Sequence, residues 1–331
     1  MSRPSFLVTV NVEADHLDQR PFLLTTESTR CLPRLQALCE KFGALPTYLV
    51  SYEMASCPQW VEFGRDVVQR DVGEIGAHLH GWTCPPFLTL TQDDHFHQPY
   101  ITDWEIGAMR EKLHTLTSKL EEQFECDIVT HRSGRWALSD TYMRLLRERG
   151  YKVDCSVTPF VSWRKVPGLP GGRGGSNYQT FPYNEYFVDE RNYRMPGESS
   201  LLEVPVTIRP VYKNRIAPAS MYALQRMALT YVHRATRLLF PSVAWMRPDG
   251  NNLVTLFQLI EESEHSEQNY VQIVLNLSDL MYGGEPGDQE AIFGDIEQVF
   301  ARAATSFKGA TMSGFYDEHQ LGSSEPVLEL V

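Results

Sequence analysis

Residues 5–15 read SFLVTVNVEAD, an apolar run rich in valine that ends in three polar side chains. The run predicts a β-strand. Because side chains alternate between the two faces of a strand, Asn11, Glu13 and Asp15 would lie on one face at its carboxyl end. A strand that carries chemically active residues at this end is typical of the first unit of an α/β fold.

The chain after this strand alternates between helical and extended patterns. Residues 31–43 (CLPRLQALCEKFG) have helical apolar spacing and a closing glycine, and residues 46–55 (PTYLVSYEMA) predict a second strand. Residues 58–70 predict another helix, and residues 71–82 (DVGEIGAHLHGW) a third strand. This alternation indicates parallel βαβ units, in which functional residues gather at the carboxyl ends of the strands.

The rest of the chain continues the pattern, with two irregular segments. Residues 83–103 are predicted as a rim or lid loop, and the Gly-, Pro- and Tyr-rich residues from about 160 to 210 as an insertion, either ordered or a flexible loop. We predict one domain over residues 1–331. Helices are expected at 104–124, 139–150, 221–240, 251–266 and 288–307, and strands with loops at 127–136, 151–159 and 269–284.

His78 and His80 would share one face of the third strand, as the polar residues share one face of the first. Two neutral imidazoles and one carboxylate are a common shell for a catalytic ion, because they leave one coordination position open. We therefore predict a divalent metal, Zn²⁺ by preference, held by His78 and His80 with Glu13 and Asp15 as candidate carboxylates. The alternative is that the polar residues are solvated and the histidines bond to the backbone.

The 331 residues carry a formal net charge of -12, and 42% of them are hydrophobic. The 42% hydrophobic share is typical of a globular protein, and the negative net charge argues against a nucleic-acid partner, for which a basic face would be expected. The amino-terminal sequence shows no secretory signal, and no segment has the length and apolarity of a membrane span. The six cysteines have no CxxC spacing, which favours reduced thiols. We expect a cytoplasmic protein with no nucleic-acid partner and no membrane span.

The order of these motifs resembles that of the NodB-homology polysaccharide deacetylases, and more closely their lipopolysaccharide-locus branch, often called WalW-like. The resemblance runs along most of the chain and implies a distorted (β/α) barrel with a divalent ion at its mouth, where an acetamide is hydrolysed to an amine and acetate. It rests on six stretches in the family's order: VTVNVEAD (8–15), PTYLVSYEMA (46–55), DVGEIGAHLHGWTCPPF (71–87), HRSGRWALS (131–139), VDCSVTP (153–159) and LSDLMYGGEP (277–286).

Carried over by position, the resemblance implies that Glu13 or Asp15 holds the ion with the two histidines. Arg132, in the RxGxW stretch, would orient the general base, and Trp136 would form a wall of the substrate pocket. The wider family spaces its metal histidines as HxxxH, whereas this chain has HxH, with Trp82 where the second histidine would stand. We predict Trp82 and Trp136 as substrate-binding residues.

Two positions depart from the family pattern. Asn11 stands where the family has the general-base aspartate, and Asn276 stands where it has the general-acid histidine. An amide neither takes up nor releases a proton at neutral pH, so both positions lack their usual proton-transfer group. The asparagines could instead hydrogen-bond a substrate amide or a sugar hydroxyl.

Several groups could replace the missing proton-transfer residues. Whichever of Glu13 and Asp15 does not bind the ion could serve as base. His131, His95 or His97 could serve as acid. The orienting arginine could pair with either carboxylate, since its usual partner has lost its charge.

These observations predict a metal-dependent, deacetylase-like hydrolase that acts on an N-acetylated sugar in surface polysaccharide (O-antigen or lipopolysaccharide) biosynthesis. The substrate would be a nucleotide- or lipid-linked sugar, and the catalytic positions would be Asn11, Asp15, Arg132 and Asn276. The alternative is a catalytically degenerate homologue that binds carbohydrate or cleaves a different amide or ester. The two asparagines are the observation behind that alternative.

Overall fold

Parallel strands form the centre of the fold. The computed structural model describes residues 3–17, 24–212, 215–216, 242–266, 268–282 and 288–323. The helix predicted at 221–240 lies outside the described residues. None of the described helices is both long enough and apolar enough to cross a bilayer.

The described strands and helices follow one another as the sequence pattern predicts for most of the chain. The strands are β1 (Ser5–Val12), β2 (Pro46–Val50), β3 (Glu74–Leu79), β4 (Thr130–Ser133), β5 (Val153–Asp154), β6 (Tyr186–Phe187), β7 (Leu202–Glu203), β8 (Ile208–Tyr212), β9 (Arg215–Ile216), β10 (Ser242–Trp245), β11 (Tyr270–Asn276) and β12 (Lys308–Ala310). The helices are α1 (Leu32–Lys41), α2 (Pro58–Gln69), α3 (Asp94–His97), α4 (Ile106–Phe124), α5 (Asp140–Arg149), α6 (Leu253–Glu264), α7 (Leu277–Tyr282), α8 (Asp288–Ser306) and α9 (Met312–Ser323).

The main sheet has the order β11-β1-β2-β3-β4-β5-β7-β6, and β12 also pairs with β1. Its pairs are parallel except for β6 with β7. A smaller antiparallel sheet has the order β10-β8-β9. The α/β fold class predicted from the sequence is therefore confirmed.

The main sheet curls toward a distorted barrel. Single backbone hydrogen bonds of 2.9 Å run from Val206 N to Val157 O, from Met246 N to Thr207 O and from Val274 N to Met246 O. These three bonds link the segments after β5 and β7, through the smaller sheet, to β11. Strand β11 is the edge strand at the opposite end of the main sheet. The smaller sheet thus joins the two sides without a continuous ladder, and the barrel is distorted where it does so.

Residues alternate between the concave and convex faces of the sheet. Phe6, Val8 and Val10 of β1 are buried in the large core shared with the helices, while Leu7 belongs to a separate buried cluster. Both faces of β1 are covered, as expected for a parallel strand. The side chains after Leu7 on the concave face are polar, beginning with Thr9, and they point into the site.

Helix α9 covers the amino end of the barrel. Its first backbone amides donate to strand residues, from Met312 N to Thr47 Oγ1 at 3.1 Å and from Ser313 N to Glu74 Oε2 at 3.0 Å. The ring of Phe315 packs edge-on against Tyr270, the first residue of β11, at 5.4 Å between centroids. The amino end is closed by apolar packing, so the carboxyl ends of the strands remain as the opening.

Three sequence predictions need correction. The segment after β11 continues as helix α7, because Leu277 and Leu280 are buried and support a helical turn where we predicted a loop. The predicted last helix, now α8, is followed by β12 and α9. The predicted insertion also ends early, since β7 belongs to the main sheet. The single-domain organisation stays a prediction.

The predicted rim loop is anchored to α4. Lys112 of α4 is buried, and its Nζ donates to Cys84 O at 2.8 Å and to Pro86 O at 2.6 Å. The indole nitrogen of Trp104 donates to Leu88 O at 2.9 Å. These bonds fix the segment beside the opening of the barrel.

Candidate metal centre

Three side chains converge at the carboxyl ends of β1 and β3. Glu13 Oε2 lies 2.8 Å from His80 Nε2 and 3.4 Å from His78 Nε2, and the two Nε2 atoms are 3.0 Å apart. Both histidines are buried, and the Glu13 side chain is 15% exposed. Within the described ranges, these residues form the group of three His, Cys, Asp or Glu side chains that could share one ion. The parallel order β1-β2-β3 brings them to the same edge of the sheet.

The ring of His78 is oriented by the backbone of the next strand. Its Nδ1 lies 3.1 Å from Arg132 O. A carbonyl oxygen only accepts hydrogen bonds, so Nδ1 carries the hydrogen and Nε2 keeps its lone pair. A backbone partner of this kind is common behind metal-binding histidines, because it fixes both the tautomer and the ring orientation.

The protonation states of the group suit metal binding. Burial lowers the pKa of His78 to about 4, so its imidazole is neutral at neutral pH. Burial alone would raise the pKa of Glu13, but its contacts with the two histidines outweigh this and lower that pKa below its usual range. A carboxylate and a neutral imidazole are the forms that a metal ion requires.

The three ligand atoms fit a cation. Glu13 Oε2 and His78 Nε2 are both acceptors. When no metal is bound, His80 Nε2 can donate its hydrogen to either of them. A divalent ion can replace that shared proton. Two imidazole nitrogens and one carboxylate oxygen match the donor set of an open Zn²⁺ site.

Asp15 does not join this group. Its Oδ2 accepts hydrogen bonds from Thr25 Oγ1 at 3.0 Å and Ser28 N at 3.3 Å, and its backbone forms an isolated bridge with Thr25. β1 ends at Val12, so the alternation that would align Asp15 with Glu13 stops before either residue. The structure therefore brings Glu13, and not Asp15, to the histidines.

A chain of side-chain hydrogen bonds joins Arg132 to the two asparagines. Arg132 Nη1 donates to Asn11 Oδ1 at 2.9 Å, and Asn11 Nδ2 donates to Asn276 Oδ1 at 2.9 Å. Arg132 also donates to Thr9 Oγ1 and to Cys155 O, each at 3.0 Å. Because β1 and β4 are not neighbours, these bonds cross the concave face of the sheet. Arg132 thus orients Asn11, the position where the resemblance places the base.

The two predicted tryptophans have different surroundings. Trp82 is 4% exposed, and its ring packs edge-on against His80 at 4.6 Å between centroids. Trp136 is half-buried, and the Arg132 guanidinium carbon lies 5.2 Å from its ring centre. Trp136 also lines a cleft of about 750 Å³. The buried Trp82 ring therefore packs against His80, whereas the half-buried Trp136 ring has surface available to a ligand.

His131, one of the candidate acids, lies on the convex face of the sheet. Its Nδ1 is 2.6 Å from Asp154 Oδ2, and its Nε2 is 3.0 Å from the Tyr142 hydroxyl. Both ring nitrogens are engaged by buried groups between the sheet and α5. His131 is therefore a core histidine with satisfied hydrogen bonds. His95 and His97 lie in α3 on the rim segment.

Gly134 is a site residue that the sequence analysis missed. A Cβ at this position would lie 2.6 Å from His80 Nδ1 and 2.8 Å from Leu79 O. The glycine therefore gives His80 the space for its ring. This glycine is part of the RxGxW motif, so the motif could have pointed to it. Glycine is common where the backbone lies close to another group.

We expect Gly134→Ala to displace the His80 ring and to weaken metal binding by roughly 10- to 100-fold, as loss of a supporting contact does in other metal sites. Titration of the metal-free protein with Zn²⁺ measures this effect. Gly107→Ala is the matched control, because a Cβ there would meet no atom within 4 Å. Equal metal affinity in the two variants would show that Gly134 does not set the position of His80.

Comparisons with known proteins bear on the fold. No protein-family model matches the chain, and no curated protein matches it. A protein from Mycobacterium smegmatis, provisionally named a polysaccharide deacetylase, is 15% identical with a TM-score of 0.53, over 98% of this chain and 93% of that one. A protein from Parabacteroides distasonis, provisionally named a glycoside hydrolase/deacetylase, is 9% identical with a TM-score of 0.56, over 96% of this chain and 72% of that one.

A third similar structure is the 4-alpha-glucanotransferase from Thermococcus litoralis, which is 12% identical with a TM-score of 0.52, over 96% of this chain and 40% of that one. Identities at this level show the fold alone. They confirm the predicted distorted barrel, which proteins named for different reactions share. The chemistry must therefore be argued from the site.

Proposed function

We propose that the protein is a metal-dependent, deacetylase-like hydrolase that acts on an N-acetylated sugar. The observation that carries the proposal is the convergence of Glu13, His78 and His80 at the opening of the barrel. A divalent ion, Zn²⁺ in our proposal, would supply a Lewis acid that polarises the acetamide carbonyl and lowers the pKa of an attacking water. Fold similarity to proteins named for carbohydrate reactions supports a sugar as the substrate class.

The chain's own residues would bind and orient the substrate around that ion. Arg132 fixes Asn11, and Asn11 in turn holds the Asn276 side chain by its oxygen. The NH₂ group of Asn276 can donate to a substrate carbonyl or hydroxyl. Trp136 offers an aromatic face for the apolar side of a sugar ring. These contacts would place the acetamide next to the three ligand residues.

Location and pathway belong to the same proposal. The six cysteines have no CxxC spacing, which favours reduced thiols, and reduced thiols support a cytoplasmic protein. The resemblance to the WalW-like branch supports a role in O-antigen or lipopolysaccharide biosynthesis, on a nucleotide- or lipid-linked sugar.

Two measurements on the unaltered chain test this function. Elemental analysis of the purified protein is expected to show one divalent ion per chain, and N-acetylated sugars are expected to release acetate. Removal of the ion with a chelator should stop acetate release, and readdition of Zn²⁺ should restore it. A protein that takes up no metal and releases no acetate from any N-acetylated sugar would contradict the proposal.

A second candidate function is carbohydrate binding without efficient turnover. The observation that favours it is the Asn11 to Asn276 hydrogen bond, because each amide occupies the position of a proton-transfer group and engages the other. General acid or base help is typically worth about 10²- to 10⁴-fold in rate. A chain that binds metal and sugar tightly and releases acetate only slowly would have this function.

A further inference from the structure

A hairpin near the start of the Gly-rich segment carries three basic residues at its tip. Trp163 N donates to Ser176 O at 2.9 Å, and Gly175 N donates to Trp163 O at 3.0 Å, so the chain reverses between these residues. Residues 164–174 connect the two sides, and we call them the basic loop. Its basic residues, all of them exposed, are Arg164, Lys165 and Arg173. The loop therefore presents three positive charges to solvent.

The three cations are unpaired within the described part of the chain. Their side chains form no ion pair and no hydrogen bond with another described residue. Arg34, by contrast, is paired with Glu290 at 2.5 Å. Residues 155–184 contain no Asp or Glu, so the sequence around the loop supplies no carboxylate. An external anion can therefore reach charges that no internal carboxylate neutralises.

The basic loop is fixed to the rim of the barrel. Tyr100 Oη donates to Val166 O at 3.0 Å, and Arg135 Nη2 donates to Pro167 O at 2.5 Å. The Arg135 guanidinium carbon also lies 4.2 Å from the centre of the Tyr100 ring. A Cβ on Gly168 would come within 2.7 Å of that ring, so the loop packs directly against it. A loop held in this way loses less entropy on binding a ligand than a mobile loop does.

Gly174 brings the two sides of the basic loop together. Its φ is +69°, and a Cβ at this position would overlap Arg164 O. The backbones of residues 164 and 174 are therefore in contact, and Arg173 lies next to that contact. A guanidinium can donate two parallel hydrogen bonds to phosphate oxygens, and a lysine ammonium adds a point charge. Two guanidinium groups and one ammonium on one short loop suit a ligand with several charged oxygens.

Asp103 is a carboxylate that contacts the basic loop, and it binds the backbone of the loop. It accepts hydrogen bonds from Tyr100 N at 2.8 Å and from the backbone N–H of Leu169. Asp103 therefore anchors the loop and leaves its cations unpaired. The chain as a whole carries a net charge of -12, but salt screens exposed charges beyond roughly 10 Å. The local positive charge thus decides which ligand the loop attracts.

The surroundings of the basic loop favour a small phosphorylated ligand over a macromolecule. None of the exposed large apolar side chains lies within residues 164–174, so the loop has nothing to insert into a bilayer. Three cations on an acidic chain do not form the extended basic face that nucleic acid requires. A diphosphate concentrates several negative charges on one compact group, which matches the compact set of cations.

The basic loop lies beside the opening of the barrel and is separate from the metal-binding group. Trp163, which precedes the loop, lines the same cleft as Trp136. Arg135, which holds Pro167, belongs to the RxGxW motif together with Arg132. A ligand bound on the loop would therefore lie at the rim, outside the three residues that could hold the ion.

We propose that the basic loop binds a diphosphate group through Arg164, Lys165 and Arg173. The diphosphate could come from the linkage of a nucleotide- or lipid-linked sugar, or from a separate phosphorylated compound. The first source rests on the proposed function and deepens it, whereas the second does not depend on it. Binding itself requires neither the metal ion nor turnover.

Titration of the full chain with inorganic pyrophosphate tests the basic loop. Metal is first removed with a chelator, and the chelator is then removed, so that pyrophosphate cannot bind through an ion. Calorimetry is expected to show one pyrophosphate per chain, with an affinity that falls as salt is added, because salt screens exposed charges. N-acetylglucosamine, the uncharged probe, is expected to bind at least roughly 10-fold more weakly.

Variants assign the binding to the loop. Arg164→Gln with Arg173→Gln removes two guanidinium groups and is expected to weaken pyrophosphate binding roughly 10-fold or more. Arg164→Lys with Arg173→Lys keeps the charge and should retain part of the affinity, which also shows that the loop tolerates substitution. Arg191→Gln with Arg194→Gln is the matched control, because it removes the same charge at two exposed positions outside the loop.

Acetate release distinguishes the two sources of the diphosphate. The ratio of kcat/KM for UDP-N-acetylglucosamine to kcat/KM for neutral N-acetylchitotetraose is compared between the unaltered chain and the double glutamine variant. A ratio that falls in the variant, with weaker pyrophosphate binding, assigns the diphosphate to a linked substrate. An unchanged ratio, again with weaker pyrophosphate binding, assigns it to a separate compound.

The outcomes separate this inference from the proposed function. If pyrophosphate does not bind, or binds equally to the double glutamine variant and its matched control, the loop inference is wrong whether or not acetate is released. If the variant loses pyrophosphate but no sugar releases acetate with any metal, the proposed function fails and the loop inference stands. Binding to phosphatidylglycerol vesicles without binding of pyrophosphate would make the loop a membrane contact and overturn the inference.

Discussion

His78→Ala is expected to lose both the bound metal and acetate release. His78 supplies one of three ligand atoms, and its Nδ1 is fixed by Arg132 O, so no other described side chain is positioned to replace it. Lewis-acid assistance is worth several kcal/mol, and about 1.4 kcal/mol corresponds to a tenfold change in rate, so the rate should fall roughly 100-fold or more. Elemental analysis and acetate release measure the two losses.

Glu13→Gln should behave like His78→Ala, because an amide lacks the charge that compensates a divalent ion. Asp15→Asn is the decisive comparison. The Asp15 side chain is bonded to Thr25 and Ser28, so this variant should keep the metal. His265→Ala, at an exposed position, controls for the loss of any histidine. Loss of metal in Asp15→Asn with retention in Glu13→Gln would make Asp15 the ligand.

The double variant Asn11→Asp with Asn276→His is expected to release acetate at least roughly 100-fold faster than the unaltered chain. The carboxylate introduced at position 11 would sit beside Arg132, whose Nη1 already donates to the Asn11 side chain at 2.9 Å, and would gain a charge-assisted bond. The imidazole introduced at position 276 would supply a group that can donate a proton to the leaving amine. Steady-state acetate release from the same sugar measures the change.

Single variants and a surface control complete this experiment. Asn11→Asp and Asn276→His alone should each give part of the gain, since general acid and general base help are separate contributions. Asn192→Asp adds a charge at an exposed asparagine and should leave the rate unchanged. An unaltered chain that is already fast, together with a slower double variant, would show that the amides themselves take part in the reaction.

The sequence predicted the parts of the site that follow from strand periodicity. His78 and His80 lie two residues apart, and their Nε2 atoms are 3.0 Å from each other, as the alternation of side chains along a strand predicts. The choice between Glu13 and Asp15 could not be made from the sequence. β1 ends at Val12, and beyond a strand end the side-chain direction depends on the following backbone, which here pairs with Thr25.

The cleft that Trp136 lines could not be predicted from the sequence, for a different reason. Trp136, Trp163 and Trp245 are far apart in the chain, and their proximity depends on the smaller antiparallel sheet joining the main one. No local pattern encodes that junction. The partner of Arg132 could not be predicted either. Because Asn11 is uncharged, the sequence suggested that Arg132 pairs with a carboxylate. In the structure it donates to Asn11 and Thr9.

The position of α9 has a consequence for the order in which the protein assembles during synthesis. Residues 312–323 leave the ribosome after all the described strands, yet their first amides bond to Thr47 and Glu74 at the start of β2 and β3. Until then, the apolar residues at that end, such as Leu7 and Leu49, lack part of their cover. The nascent chain therefore completes the packing of this end only after α9 has left the ribosome.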